Sequence, residues 1–153
     1  MGKKPFITID IEDWNHALHI EKGGHSSIAS AWWLFQRLFD YGIKAKVYVL
    51  GKFAEEYPGL ISNIWEEGHV ILSHGQNHYR WEEADRKPYS WLGFTGGFYF
   101  RFLPYEFVKH EIIRKGFCYF HPHDFDLEHP KVANPFLNWK RHVGLSAARS
   151  RFE

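Results

Sequence analysis

Over its first 74 residues the chain alternates three short apolar runs with two helical stretches, and each run stops near residues that ionise or bind metals. Phe6-Ile7-Thr8-Ile9-Asp10-Ile11 is β-branched and too short for an ordinary helix, so it reads as a buried strand running into Glu12 and Asp13. Ser26 or Ser27 then caps a helix whose Ile28, Trp32, Phe35 and Phe39 form one apolar stripe, with Gly42 as its stop. Lys46-Val47-Tyr48-Val49-Leu50 is the second strand, closed by Gly51. Leu60, Ile61, Ile64 and Trp65 share a face of a second helix, which Gly68 ends. His69-Val70-Ile71-Leu72-Ser73 is the third strand, leading into His74. This βαβαβ order demands parallel strands joined by right-handed crossovers.

The alternation breaks between Trp81 and Gly97, where a polar run gives way to glycines and aromatics. It resumes with a helix from Pro104 to Gly116, with Phe107, Val108 and Ile112 at apolar positions. Phe117-Cys118-Tyr119-Phe120 is a fourth strand, ending at His121, and a weak helical signal follows Asn138. At 153 residues, without repeats or low-complexity linkers, the chain is expected to be one domain.

Composition excludes more than it identifies. With 19 Lys+Arg against 18 Asp+Glu, no charge excess draws the chain to nucleic acid or to an anionic membrane. A lone cysteine, Cys118, leaves no intrachain disulfide and no cysteine-based zinc cluster. No stretch is long enough for a membrane span, and the start leads into a strand, so a soluble cytoplasmic protein is expected. Eleven His and 19% aromatics suit either an aromatic core with scattered imidazoles or a site where sugar rings stack near a metal.

The strand ends carry the chemistry. In parallel α/β folds, ligands and catalytic groups gather at the carboxyl ends of strands. Here those ends hold Asp10, Glu12 and Asp13, then His74 and His78, then His121 and His123. If His74-Gly75-Gln76-Asn77-His78 opens a helical turn, both imidazoles reach one cation; alone, such a pair is as easily a surface accident. Two His, one carboxylate and an open position would make a catalytic zinc site rather than a closed structural one. Three acids within four residues are costly at a buried strand end without a cation or basic partner, unless they form an exposed acidic turn. His121, directly after the fourth strand, is placed either for general-acid work or for a backbone hydrogen bond.

Together these residues resemble the polysaccharide deacetylase (NodB-homology) family, carbohydrate esterase family four. Thr8-Ile9-Asp10-Ile11-Glu12-Asp13-Trp14 is similar to the family's first motif in its Asp-Val-Glu-Asp-Trp variant. Gly68-His69-Val70-Ile71-Leu72-Ser73-His74-Gly75-Gln76-Asn77-His78 is similar to Gly-His-Glu-Ile-Gly-Ser-His-Gly-x-x-His. Gly96 to Tyr105 and Phe120-His121-Pro122-His123-Asp124 resemble a later region of the exopolysaccharide-associated branch. The resemblance implies an α/β fold with parallel strands, a (β/α) barrel of the NodB-homology type. It implies a divalent metal, zinc by donor type, held by His74, His78 and one carboxylate, Asp13 or Glu12. Asp10 would be the catalytic base and His121 the general acid. The substrate would be an N-acetylated polysaccharide or oligosaccharide.

One departure is large. The family's middle section, with an Arg-x-Pro motif whose arginine orients the base, has no counterpart after Trp81. A barrel of this kind takes about 250 residues, so the barrel is expected to be shortened, its centre missing between about 82 and 95. Arg80, Arg86 and Arg101 are the candidates to replace the lost arginine. The alternative function is a catalytically impaired pseudoenzyme that binds metal or carbohydrate. Four parallel strands cannot close, so an open edge is expected, covered by a second copy in a homo-oligomer or by the 81–97 and tail segments folding back.

Overall fold

The structure, a computed structural model, describes residues 5–14, 16, 26–76 and 94–153. The four apolar runs form the strands β1 (Phe6–Ile11), β2 (Ala45–Val49), β3 (Val70–Ser73) and β4 (Phe117–Phe120). They make one sheet in the order β3-β2-β1-β4, every neighbouring pair parallel. This is a mixed α/β architecture with an open parallel sheet, the arrangement of a partial (β/α) barrel. Between the strands run α1 (Ile28–Asp40), α2 (Gly51–Glu56), α3 (Pro58–Glu66), α4 (Gly97–Phe102) and α5 (Tyr105–Lys115). A 3-10 turn (Pro122–Phe125) and the helices α6 (Pro135–His142) and α7 (Leu145–Phe152) follow β4.

Register sorts the side chains by face. Ile9 lies opposite Val47 on one side and Phe120 on the other, so alternation puts Ile9, Ile11, Val47, Val49, Cys118 and Phe120 on one face, all buried. That face meets Leu34, Phe35 and Leu38 of α1, Phe53 of α2, and Leu60 and Ile64 of α3. Phe100, Val108, Phe125 and Ala148 complete the same core. The other face carries Thr8, Asp10, Lys46, Tyr48 and Tyr119, and Lys46 and Tyr119 are exposed. Asp10 therefore stands between two core isoleucines in sequence and on the opposite side of the sheet in space.

Four apolar positions expected inside are outside. Trp32 and Phe39 on α1 are 47% and 55% exposed, and the buried stripe is Ser30, Ala31, Leu34, Phe35 and Leu38 instead. Small residues at 30 and 31 let α1 approach the 3-10 turn closely, which two large rings would prevent. Trp65 is exposed on α3 for the same geometric reason, because Leu60 and Ile64 already define its inner face. On α5, Val108 is buried while Phe107 is 45% exposed. The outer edge of β4 is met by Thr95 and Gly96, with Tyr119 N–H donating to Thr95 O at 3.2 Å.

His69 is structural. Its ring is buried, and its Nδ1 accepts the Ala45 N–H at 3.0 Å, tying the start of β2 to the residue before β3. Burial, and to a lesser extent Lys44, lowers its pKa, which keeps Nδ1 free to accept. His69→Ala would leave a buried N–H unpaired and a cavity against Phe35, so a loss of about 2–4 kcal/mol is expected in urea unfolding.

Candidate active site

Glu12, Asp13 and Trp14 leave the sheet at the end of β1 and are all buried. Asp13 is consumed by the local fold. Its Oδ1 accepts the Trp14 and Ser27 N–H groups, both at 2.8 Å, and its Oδ2 accepts Ser26 Oγ–H at 2.7 Å. It thereby fastens the β1 loop to the start of α1. Trp14 Nε1 donates to Asp126 at 2.7 Å, and Ser27 Oγ donates to the same carboxylate at 3.2 Å. Trp14 packs against His123 and His129, with the Arg141 guanidinium 5.3 Å from its ring centre. At 3% exposure it is a wedge, not a platform for sugar.

Glu12 points the other way. Its Oε2 lies 3.8 Å from His74 Nε2 and its Oε1 lies 3.9 Å from His121 Nε2. Asp10 Oδ2 lies 4.0 Å from the same His121 Nε2. These separations exceed hydrogen-bond lengths. His74 is set by the sheet, since its N–H donates to Val49 O at 2.9 Å as if extending β3. Gly75 then takes φ +84°, a left-handed conformation that ends the ladder and is not the first turn of a helix. The first two N–H groups of α2, on Gly51 and Lys52, hold this loop by donating to Gly75 O and Gln76 O. His78 lies outside the described residues, as do Arg80 and Arg86. The structure thus brings Asp10, Glu12, His74 and His121 together, and it turns Asp13 away from them.

Behind His121 stands a group with no role in the sequence reading. Asp124 Oδ2 accepts the His121 N–H at 2.9 Å and lies 3.6 Å from its Nδ1. Asp124 Oδ1 lies 3.7 Å from Arg101 Nη2. Arg101, 5% exposed, is anchored through Nη1 to Arg141 O and Val143 O at 2.7 and 3.2 Å. Arg101 therefore serves Asp124. The 3-10 turn puts Asp124 under His121, and Gly97 makes room for it, since a Cβ there would collide with the carboxylate. The available signal was the three-residue spacing after His121 across a proline, which favours such a turn.

Electrostatics follow from this packing. Burial alone lowers the His121 pKa, but the Asp124 bond and charge, then Glu12 and Asp10, overcome it and raise it to about 9. Asp124 also feels burial, which raises its pKa; His121, His123 and Arg101 outweigh that and hold it below its ordinary value. His123, stacked on His121 at 4.6 Å, is pushed down to about 3, first by burial and next by the His121 charge. His121, His123 and Asp124 also place one donor atom each within 4.8 Å of one another, a second grouping that could hold an ion.

Stability should depend on pH from both sides in the metal-free chain. His129 is buried, its Nε2 donating to His123 O at 2.6 Å, and burial lowers its pKa to about 4. Between that value and about 6.5, the unfolded chain takes up a proton that the folded chain refuses, so stability falls as pH falls through this window. His121 has the opposite sign: its contribution is complete below about 6.5 and is lost as pH rises through about 9. The urea midpoint is expected to be highest near neutrality, and His129→Gln should make the acid limb shallower, with His123 still contributing to it, and leave the basic limb alone.

Comparison with known families gives two matches. The polysaccharide deacetylase family matches residues 27–114, and a domain of unknown function (DUF3473) matches residues 86–153. His74 falls in the first segment and His121 and Asp124 in the second, while Asp10 and Glu12 precede both. Neither the curated proteins nor the solved structures include a significant match. Among the described residues, no helix is long and apolar enough to cross a membrane.

Proposed function

Since the chain belongs to the polysaccharide deacetylase family, we propose that it removes N-acetyl groups from an amino-sugar polysaccharide by metal-dependent amide hydrolysis at the Asp10–Glu12–His74–His121 site. The observation that carries this reading is the placement of His121. Its Nδ1 side faces Asp124, and its Nε2 side faces the carboxylates of Asp10 and Glu12. Held near pKa 9, the imidazole is protonated at neutral pH and presents an N–H to the site. An amine leaving group needs such an acid, because it cannot depart as an anion.

Glu12, His74 and, from the sequence, His78 are the proposed metal ligands, with zinc as the ion that two imidazoles and a carboxylate suit. The fit rests on spacing. Two donor atoms each about 2.1 Å from one cation at a tetrahedral angle stand about 3.4 Å apart, close to the 3.8 Å between Glu12 and His74. When bound, such a cation polarises the acetamide carbonyl and acidifies water. Asp10, on the site face of β1 and buried at 8% exposure, takes the proton from the attacking water. His121 then delivers its Nε2 proton to the departing nitrogen. Asp124 keeps His121 charged and fixed in orientation, and Arg101 keeps Asp124 ionised.

The test is release of acetate from an N-acetylglucosamine tetramer by the zinc-loaded chain, with a chelator control. Zinc-dependent release supports the reading. Metal and sugar binding without release would establish the impaired binding module instead.

A further inference from the structure

Beside His121 lies a pocket of about 250 Å³, the size of one sugar unit rather than a chain, with Phe98, Arg101, Leu137, Lys140 and Arg141 among its walls. Its charge is mainly positive, because Asp124 is already matched by Arg101 and His121. Two of its cations have unused donors. Arg101 Nε and Arg141 Nη1 are buried without a hydrogen-bond partner among the described residues. Both residues line the pocket, and a planar carboxylate is the group that guanidinium fork geometry matches.

The pocket opens onto an aromatic shelf built by α4 and α6. Phe98 and Phe102 stack at 5.6 Å, Trp139 meets the edge of Phe102 at 5.4 Å, and Phe136 lies 5.9 Å from Trp139. Phe102, Trp139 and Phe136 are 46%, 45% and 67% exposed. Lys140 Nζ sits 5.0 Å above the Phe98 ring, joining shelf to pocket. Exposed aromatic faces next to a polar pocket suit sugar rings, which bring an apolar face and hydroxyls. A lipid surface would lie flat on the shelf and leave the recess beside it unfilled.

We propose that the shelf and pocket form a subsite for an acidic polysaccharide, in which Trp139 and Phe102 stack a sugar ring and Lys140 and Arg141 hold the carboxylate of a uronate next to the N-acetylated unit. The inference rests on the deacetylase reading and names its substrate class: a polymer that alternates or mixes amino sugar with uronic acid. Arg101 helps set the positive potential from the pocket floor while still holding Asp124.

Calorimetric titration of the 153-residue chain with a tetrasaccharide of alternating N-acetylglucosamine and glucuronate, and with its methyl ester, tests this. The free acid should bind at least about tenfold more tightly, with an advantage that shrinks in salt. Lys140→Gln, at an exposed position, should reduce that advantage severalfold, and Lys140→Gln with Arg141→Gln should remove it. Trp139→Ala should weaken acid and ester alike. Equal affinity for the two sugars, no measurable binding of either, or an advantage that survives the double substitution overturns the proposal. So does tighter, Trp139-dependent binding to phosphatidylglycerol vesicles, which would make the shelf a membrane contact. Millimolar acetate displacing the acid through Lys140 would make the pocket a product site and also overturn it. Acid preference without acetate release would leave the subsite standing and remove the catalytic reading; release from the neutral tetramer without acid preference would do the reverse.

Discussion

Glu12→Gln is expected to lower zinc affinity by more than the roughly 10–100-fold that losing an outer partner of a ligand costs, whereas Asp13→Asn should leave it nearly unchanged. The two acids are neighbours and equally buried, yet their oxygens face different things. Those of Glu12 look at two imidazole nitrogens: Oε2 stands 3.8 Å from His74, its proposed fellow ligand, and Oε1 stands 3.9 Å from His121, the proposed acid. Those of Asp13 are filled by two backbone N–H groups and a hydroxyl. An amide in place of Asp13 would turn one acceptor into a donor facing donors, so the cost should appear as about 1.5–3 kcal/mol of stability. Equilibrium dialysis against zinc and urea unfolding read the two effects separately. Metal lost in Asp13→Asn but kept in Glu12→Gln would reverse the assignment. Metal lost in Asp124→Asn and kept in Glu12→Gln would place the ion among His121, His123 and Asp124.

Alternation along β1 was enough to put Glu12 on the side of Asp10, but it left Asp13 open, because what happens after a strand depends on the next contact. That contact is Ser26 and Ser27 at the start of α1: Ser26 Oγ accepts the Ile28 N–H at 3.3 Å, while Ser27, the N-cap residue, makes no side-chain cap bond and has its own N–H accepted by Asp13. The strands were legible because short β-branched runs have few alternatives, and all four lie within a residue or so of their expected positions. Two helices of six residues were not. Gly51–Glu56 begins at a glycine that reads as a stop, and Gly97–Phe102 is an aromatic run that favours strand by propensity. Their helicity is set by tertiary contacts: carbonyls of Gly75 and Gln76 do not follow from local sequence, nor does Arg151 donating to Phe100 O, Arg101 O and Leu103 O.

The same limit explains the site. His74 and His121 were legible as strand-end residues, and the sheet brings both to Glu12. Arg101 was visible only as a candidate partner for Asp10, by analogy with a motif that is absent. Nothing in the sequence connects position 101 to position 124. The connection comes from α4 laying Gly97 against the 3-10 turn, which leaves room for the Asp124 carboxylate between Arg101 and His121. A pairing of this kind is a property of packing, and it appears first in three dimensions.

Asp10→Asn is expected to slow acetate release by about 10²–10⁴-fold, the usual contribution of a positioned base, with zinc affinity within a few-fold of the parent. His121→Ala should cost a similar factor by removing the acid. Because base and acid act on one reaction in sequence, the double variant should be little slower than the slower single variant, not slower by the product of the two factors. Asp124→Asn separates positioning from contact with substrate. It removes the main group that raises the His121 pKa, so the basic limb of the activity profile should move to lower pH. A merely structural Asp124 would instead lower stability and leave the shape of the pH profile alone. Full activity in Asp10→Asn would remove it as the base, and an unmoved basic limb in Asp124→Asn would remove the pair from the mechanism.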